Sequence, residues 1–240
     1  MNTILFDLDG TLLPMEMDTF TKGYFTALAK KCVPMGFDPE RLTKAVWAGT
    51  KAMVENDGTK TNEERFWETF ADLLGDKVLA LKEEFENFYT HEFHEAKAYT
   101  KENPLAKEAL RIVKEKGYQV VLATNPIFPA SGTKSRLAWI GLSPEEFSMV
   151  TTYENSVHCK PNLAYYRDIL NRIGKEPRDC LMVGNDAVED LCAEKLGVEV
   201  YLVTDTLYNP HHVDISMVNK GSFQNLIAYL FSLPDLKKEK

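Results

Sequence analysis

Ile4-Leu5-Phe6-Asp7-Leu8-Asp9-Gly10-Thr11-Leu12 is the stretch whose reading decides the fold. It begins as an apolar run, sets two carboxylates two residues apart, and closes on Gly-Thr. A run of Ile, Leu and Phe reads as a buried strand. Alternate residues of an extended strand point to the same side. Asp7 and Asp9 therefore face one site, where the strand ends and the Gly10 turn begins. Two acids there are costly unless a cation or a proton compensates them. The plainer alternative, a polar strand end with Asp as a turn former, loses ground as the rest of the chain is read.

Outward from this strand, residues 14–102 read as helical. Asp38-Pro39 has the form of an N-cap followed by proline at the first helical position. Thr61-Asn62-Glu63-Glu64 is a capping box, and Phe66, Phe70, Leu73 and Leu74 follow at helical spacing. Gly75-Asp76 breaks that stripe from a second one through Leu81, Phe85 and Phe88. The expectation is about four helices inserted after the first strand, their apolar stripes serving as packing. Trp47, Trp67 and Trp139 are read the same way. His91 and His94 have a spacing that could hold a metal, but an ordinary helix surface is the simpler reading; His158 and His211-His212 read as loop residues.

From Asn103-Pro104 the pattern changes. A capped helix carrying Leu105, Ala109, Leu110 and Val113 ends at Gly117. The β-branched run Tyr118 to Ala123 stops at Thr124-Asn125-Pro126. Ser131 to Ile140 reads as a helix, Ser143-Pro144-Glu145-Glu146 as a capping-box start, and Met149 to Thr152 as a short strand. Leu163 to Ile173 is helical after Lys160-Pro161-Asn162. Cys180 to Gly184 is a buried strand ending at Asn185-Asp186, Ala187 to Leu196 a helix closed by Gly197, Glu199 to Val203 a strand, and Phe223 to Leu233 a last helix. Strands alternating with helices predict an α/β fold with a doubly wound parallel sheet. The expected organisation is a core of residues 1–13 and 103–240 with an inserted helical domain over 14–102.

Ligands of such sheets bind at the carboxyl ends of the strands. The polar residues of three strand ends should therefore meet: Asp7 and Asp9, Thr124 and Asn125, Asn185 and Asp186, with Lys160 as a fourth member. Acids gathered at one point suit a hard cation with oxygen ligands, commonly Mg²⁺, which keeps several waters and takes a substrate phosphate. A Thr hydroxyl and backbone N–H groups after a strand donate to phosphate oxygens. A Lys supplies a compact positive charge, and an Asp is a competent nucleophile once repulsion from the substrate is cancelled.

Composition bounds the partners. The chain has 240 residues, 44% hydrophobic and 27% charged, with net charge −8. No basic excess exists to neutralise a nucleic-acid backbone. No apolar run approaches the roughly 20 residues that span a bilayer, and a core strand starting almost at Met1 leaves no signal peptide in this reading. The four cysteines, Cys32, Cys159, Cys180 and Cys192, form no CxxC pair and no zinc spacing. Reduced thiols in a cytoplasmic protein are the expectation, as is a frayed charged tail over 237–240. The expected partner is a small molecule, with no nucleic acid and no membrane; a homodimer is left open.

Asp7-Leu8-Asp9-Gly10-Thr11 resembles the first motif of the haloacid-dehalogenase-like hydrolase superfamily. Thr124 in Leu-Ala-Thr-Asn-Pro resembles its second, Lys160 in Cys-Lys-Pro-Asn its third, and Gly184-Asn185-Asp186 followed by Asp190 its fourth. The resemblance spans residues 1–13 and 103–233, with all four motifs in order. It implies a Rossmann-like core and a Mg²⁺-dependent phosphatase of small phosphorylated metabolites. By that resemblance Asp7 attacks phosphorus and forms an aspartyl-phosphate. Asp9 protonates the leaving oxygen, then deprotonates the attacking water, and its carbonyl ligates Mg²⁺. Thr124 and the N–H of Asn125 bind phosphoryl oxygens, and Lys160 balances charge on nucleophile and phosphate. The fourth motif completes the metal site beside Asp7 and Asp9. It departs from the usual form, because Asn185 stands where the family commonly has Asp. Either Asn185 ligates through its amide oxygen or Asp186 takes the role, with Asp190 in support; Asp190 can equally be read as an acid complementing a helix dipole. The inserted helices resemble the cap that such enzymes close over the site. A phosphomutase and a catalytically silent binding module on the same scaffold are the alternatives.

Overall fold

The computed structural model describes residues 1–238; the end of the charged tail, Glu239 and Lys240, lies outside them. Six strands form one parallel sheet: β1 (Thr3–Phe6), β2 (Gln119–Leu122), β3 (Met149–Val150), β4 (Cys180–Gly184), β5 (Glu199–Val203) and β6 (Asn219–Gly221). Their order is β3-β2-β1-β4-β5-β6, the doubly wound arrangement whose ligand crevice opens where the order reverses, beside β1. β1 is buried along its whole length. Ile4 and Phe6 point into one apolar cluster and Leu5 into the other, as the period-two geometry of a strand requires.

Register brings the motifs together. Phe6 stands opposite Leu122 of β2 and Val183 of β4. Beyond that row, the Asp7 N–H still donates to Val183 O at 2.9 Å, and the Ala123 N–H to Phe6 O at 2.7 Å. Three strands thus end within a residue of each other, and the side chains that follow share one edge of the sheet.

Residues 17–99 hold helices joined by turns, bends and short irregular stretches, with no strand. They hold α1 (Met17–Cys32), α2 (Pro39–Val54), α3 (Asn62–Leu74) and α4 (Lys82–Thr90), with 3₁₀ turns between and after them. The expected caps form: Asp38 accepts from Arg41 N–H, and Thr61 and Glu64 make a reciprocal capping box. The two connections to the sheet run side by side, Lys101 N–H donating to Pro14 O at 2.8 Å. The remaining helices are α5 (Pro104–Glu115), α6 (Ala130–Trp139), α7 (Leu163–Ile173) and α8 (Phe223–Ser232). Among the described residues no helix is long and apolar enough to cross a membrane.

Five details differ from the sequence reading. Asn103 does not cap α5; its amide donates to Leu12 O at 3.0 Å and ties the connection to the first strand's turn. Ser143 starts only the 3₁₀ turn Pro144–Glu146. The helix expected over 187–196 is a turn followed by 3₁₀ residues Leu191–Leu196; Asp186 accepts from the Val188 and Glu189 N–H groups as an N-cap would, but the Asp190 carboxylate reaches back to Lys160 and to the Asn185 and Asp186 N–H groups and holds the segment as a tight turn. β6 lacks any apolar side chain and exists through its pairing with β5. Trp67 and Trp139 are packed, whereas Trp47 is 53% exposed.

Candidate active site

Asp7 leaves β1 with its carboxylate held on both sides. Oδ1 accepts from Lys160 Nζ at 2.9 Å, and Oδ2 lies 3.0 Å from Thr11 Oγ1. Lys160 arrives on the loop before α7 and is 1% exposed. It also donates to Asp190 Oδ1 at 2.6 Å. Burial pushes the Asp7 carboxyl up to about 7, with Lys160 pulling it back and Asp190 adding to the rise. Burial works against the Lys160 charge too, but the carboxylates of Asp190 and Asp7 outweigh it and hold the ammonium well above its ordinary range. The triad is a lysine shared by two acids, so the lysine stays charged.

Asp9 has a cation of its own. Its Oδ2 accepts from Arg136 Nη1 of α6, a residue buried completely. The guanidinium lies 4.1 Å from the centre of the Phe128 ring and also donates to Gly132 O and Thr133 Oγ1, each at 3.2 Å. Asp9 Oδ1 is buried and has no hydrogen-bond partner among the described residues. Directly after Asp9, Gly10 sits at φ +86° with the Asn185 amide against the position a Cβ would take. Only glycine accepts both the left-handed conformation and that approach.

At the end of β2 the Thr124 carbonyl accepts from Thr151 Oγ1 at 2.7 Å and Tyr165 OH at 2.9 Å. Asn125 bridges two loops: its Nδ2 lies 3.0 Å from both carboxylate oxygens of Glu189, and its Oδ1 accepts from the Lys160 N–H at 3.2 Å. Burial pushes Glu189 up to about 8, Lys160 opposing and Asp186 adding.

After β4 the side chains divide their work. Asn185 Oδ1 lies 3.0 Å from the same Thr11 hydroxyl that reaches Asp7, and its Nδ2 donates to Thr206 O at 2.8 Å. Asp186 Oδ1 accepts from the N–H groups of Val188 and Glu189 at 2.6 and 2.8 Å, and burial raises its pKa. Asp190 is fully engaged: Oδ1 meets Lys160, and Oδ2 accepts from the N–H of Asn185 and of Asp186, each at 3.0 Å.

All the expected strand-end residues except Lys160, which stands behind Asp7, line one cavity of about 670 Å³ between the sheet edge and α1–α4. The donors toward it are oxygens throughout: the carboxylates of Asp7 and Asp186, the Asn185 amide oxygen, and the unpartnered Asp9 Oδ1. Among the described residues no three of His, Cys, Asp and Glu converge as a ready-made cage. One or two carboxylates with water completing the shell is the manner in which Mg²⁺ is bound, so the donor set fits that ion. The histidines are placed elsewhere. His94 accepts from Trp139 Nε1 at 2.9 Å, His91 Nδ1 lies 2.9 Å from Asn87 O, and His158 pairs with Asp168 at 2.7 Å.

A family model of haloacid dehalogenase-like hydrolases matches residues 1–197. The chain belongs to the haloacid dehalogenase-like hydrolases. It is 25% identical over 205 residues to a phosphoglycolate phosphatase of Aquifex aeolicus, covering 84% of each chain. It is 31% identical over 214 residues to a phosphoglycolate phosphatase of Haemophilus influenzae, covering 85% of this chain and 88% of that one. Among solved structures, a HAD phosphatase from Thermococcus onnurineus superposes with a TM-score of 0.62 at 18% identity, covering 96% of this chain and 98% of that one.

Arg136 and Glu189 are site residues that the sequence reading missed. Arg136 carried a signal: Gly132, Arg136 and Trp139 fall on one face of α6, the buried one, and a charge on an apolar face demands a partner. Glu189 carried none, since an acid in a turn is ordinary.

Proposed function

We propose that the chain is a Mg²⁺-dependent phosphohydrolase of a small phosphorylated metabolite, working through an aspartyl-phosphate on Asp7. The observation that carries this is the pairing of two neighbouring carboxylates with two separate buried cations at one end of the cavity: Asp7 with Lys160 and Asp9 with Arg136. The phosphatase names of relatives at 25% and 31% identity support it.

Asp7 attacks phosphorus, and the phosphorus–oxygen bond to the alcohol breaks. The leaving oxygen takes a proton from Asp9. Water then attacks the aspartyl-phosphate while Asp9 takes a proton back, and phosphate leaves. Thr124 and the Asn125 N–H hold phosphoryl oxygens. Lys160 keeps Asp7 in place and offsets negative charge, about 4 kcal/mol for opposite charges 4 Å apart at an effective dielectric near 20. Mg²⁺ would be held by Asp7, the Asp9 carbonyl and Asn185 or Asp186, and would supply further positive charge against the phosphate. Asp190 supports this set by fixing Lys160 and the Asn185-Asp186 backbone.

The helices over 14–102 act as a cap domain on the core of 1–13 and 103–240, excluding water and choosing the leaving group. The four buried free cysteines suit a cytoplasmic protein acting on small molecules rather than on nucleic acid or membrane. The test is hydrolysis of p-nitrophenyl phosphate. Asp7→Asn abolishes turnover with an unchanged circular dichroism spectrum, and EDTA silences the wild type until Mg²⁺ is restored. Full activity in Asp7→Asn, or activity indifferent to EDTA, refutes the mechanism.

A further inference from the structure

The part of the cavity that lies beyond the phosphate end differs in character from the carboxylate floor. Its walls come from α1, α2 and α3: Phe20 and Phe25, Trp47 and Thr50, Phe66 and Phe70. Trp47 is 53% exposed, so packing does not account for it. Its ring lies 5.6 Å from that of Phe25 and tilted 40° to it, and both rings line the cavity.

Charge is as lopsided as polarity. Among the described residues lining the cavity, Lys101 is the only base, and it stands exposed in the connection between the helices and the sheet. Lys160 and Arg136 are already committed to Asp7, Asp190 and Asp9. The helical side adds acids instead: Glu16, Asp18 and Glu86. Glu86 is tied to Ser131 Oγ at 2.6 Å and to Tyr153 OH at 3.3 Å. A substrate with a second anionic group on its alcohol would place that group among apolar rings and acids with no fixed cation to meet it, and burying an unpaired charge is prohibitive.

We propose that the leaving group taken by this cavity is an uncharged alcohol bearing an aromatic body, seated on Trp47, Phe25 and Phe66, and that phosphate esters carrying a second anion are rejected. This rests on the phosphatase reading and narrows its substrate class. Size agrees: about 670 Å³ is room for a ring system as well as a phosphate, far more than a two-carbon acid occupies. The hydroxyls of Tyr24 of α1 and Tyr89 of α4, 3.1 Å apart in the cavity lining, offer a polar contact for one neutral substituent.

Three esters separate the possibilities, since all lose an alkoxide: 2-(2-naphthyl)ethyl phosphate, ethyl phosphate and phosphoglycolate. With Mg²⁺ present, kcat/KM for the naphthyl ester should exceed that for ethyl phosphate on the order of 10²-fold, as burial of a large ring implies. Phosphoglycolate should do no better than ethyl phosphate. Trp47→Ala should shrink the naphthyl-to-ethyl ratio about tenfold. Thr50→Lys should raise phosphoglycolate relative to ethyl phosphate by placing a cation in the wall. A wild-type preference for phosphoglycolate over the naphthyl ester overturns the proposal while leaving the phosphatase intact. If none of the esters nor p-nitrophenyl phosphate is hydrolysed, the phosphatase reading fails, and the cavity is judged by binding alone. In that measurement 2-naphthylethanol should raise the melting temperature of the wild type and not of Trp47→Ala. No rise, or a larger one with glycolate, overturns the proposal.

Discussion

Replacing Arg136 with methionine tests the Asp9 arrangement at its least replaceable point. Arg136 is buried completely and the Asp9 side chain is 15% exposed. Methionine keeps the apolar stem and a sulfur against Phe128, so the substitution removes the charge more than the packing. Asp9 Oδ2 then loses its donor while Oδ1 already has none. Removing one partner of a buried ion pair costs about 3–5 kcal/mol, most of it the stranded charge. The residual solvent contact of Asp9 places the expected loss near the lower end, about 3 kcal/mol. For a chain of this size that is a fall in Tm of about 6–12 °C.

Urea unfolding followed by tryptophan fluorescence measures it, and a double-mutant cycle assigns it. Asp9→Asn removes the stranded charge, so the Asp9→Asn/Arg136→Met pair should lose about 1–3 kcal/mol less than the two single changes added together. Kinetics supply a second readout. An acid that protonates the leaving oxygen matters most when that oxygen is basic, so Arg136→Met should slow ethyl phosphate hydrolysis more than p-nitrophenyl phosphate hydrolysis. Additive losses in the cycle, or a stability within about 0.5 kcal/mol of the wild type, refute the assignment of Arg136 as the cation that holds Asp9.

Asn185→Ala and Asp186→Ala, compared by Mg²⁺ titration calorimetry, decide the register of the fourth motif. Asn185 Oδ1 shares the Thr11 hydroxyl with Asp7, and Asp186 Oδ1 is spent on two backbone amides, so the larger loss of affinity is expected from Asn185→Ala; the reverse order makes Asp186 the ligand. Glu86 gives a pH effect. Burial raises its pKa, with Glu154 and Glu63 adding and Ser131 and Tyr153 opposing. A folded state that holds the proton more tightly than the unfolded one is most stable below the ordinary carboxylate range and loses that advantage as pH rises through the raised value. Glu86→Gln should therefore gain Tm relative to the wild type between pH 4 and 7, and a difference independent of pH contradicts the burial argument.

What could be read from the chain divides along a physical line. β1, β4 and β5 were legible because each is a dense apolar run whose length matches a strand and whose ends carry turn residues. Once three strand ends were assigned to one parallel sheet, the meeting of Asp7, Thr124 and Asn185 followed from topology, and the observed register of Phe6 against Leu122 and Val183 is the geometry that such a sheet supplies. β6 was not legible, because Asn219-Lys220-Gly221 has no side-chain reason to be a strand and forms only once β5 presents an edge. The turn over 187–190 was misread as helix for the opposite reason. Its apolar spacing suits a helix, but the Asp190 carboxylate is drawn back to Lys160 and to the Asn185 and Asp186 N–H groups, and a contact with a lysine thirty residues away is invisible to periodicity.

Arg136 shows where local reading stops altogether. Its partner lies 127 residues away, and nothing near Asp9 in the sequence announces that the acid will need a cation from α6. The cost of burying either charge alone nevertheless makes the pair a necessity once both are inside. A reading that followed charge neutrality as strictly as it followed hydrophobic period would have asked what compensates an arginine on the buried face of α6, and what separately compensates each of two neighbouring acids. Lys160 answers for Asp7 only, since Asp190 and Asp7 already share it. The second acid therefore requires a second base, and in a site of this kind that requirement carries functional meaning. With its own guanidinium partner, Asp9 is balanced without drawing Lys160 away from Asp7, so the two neighbouring acids answer to separate cations.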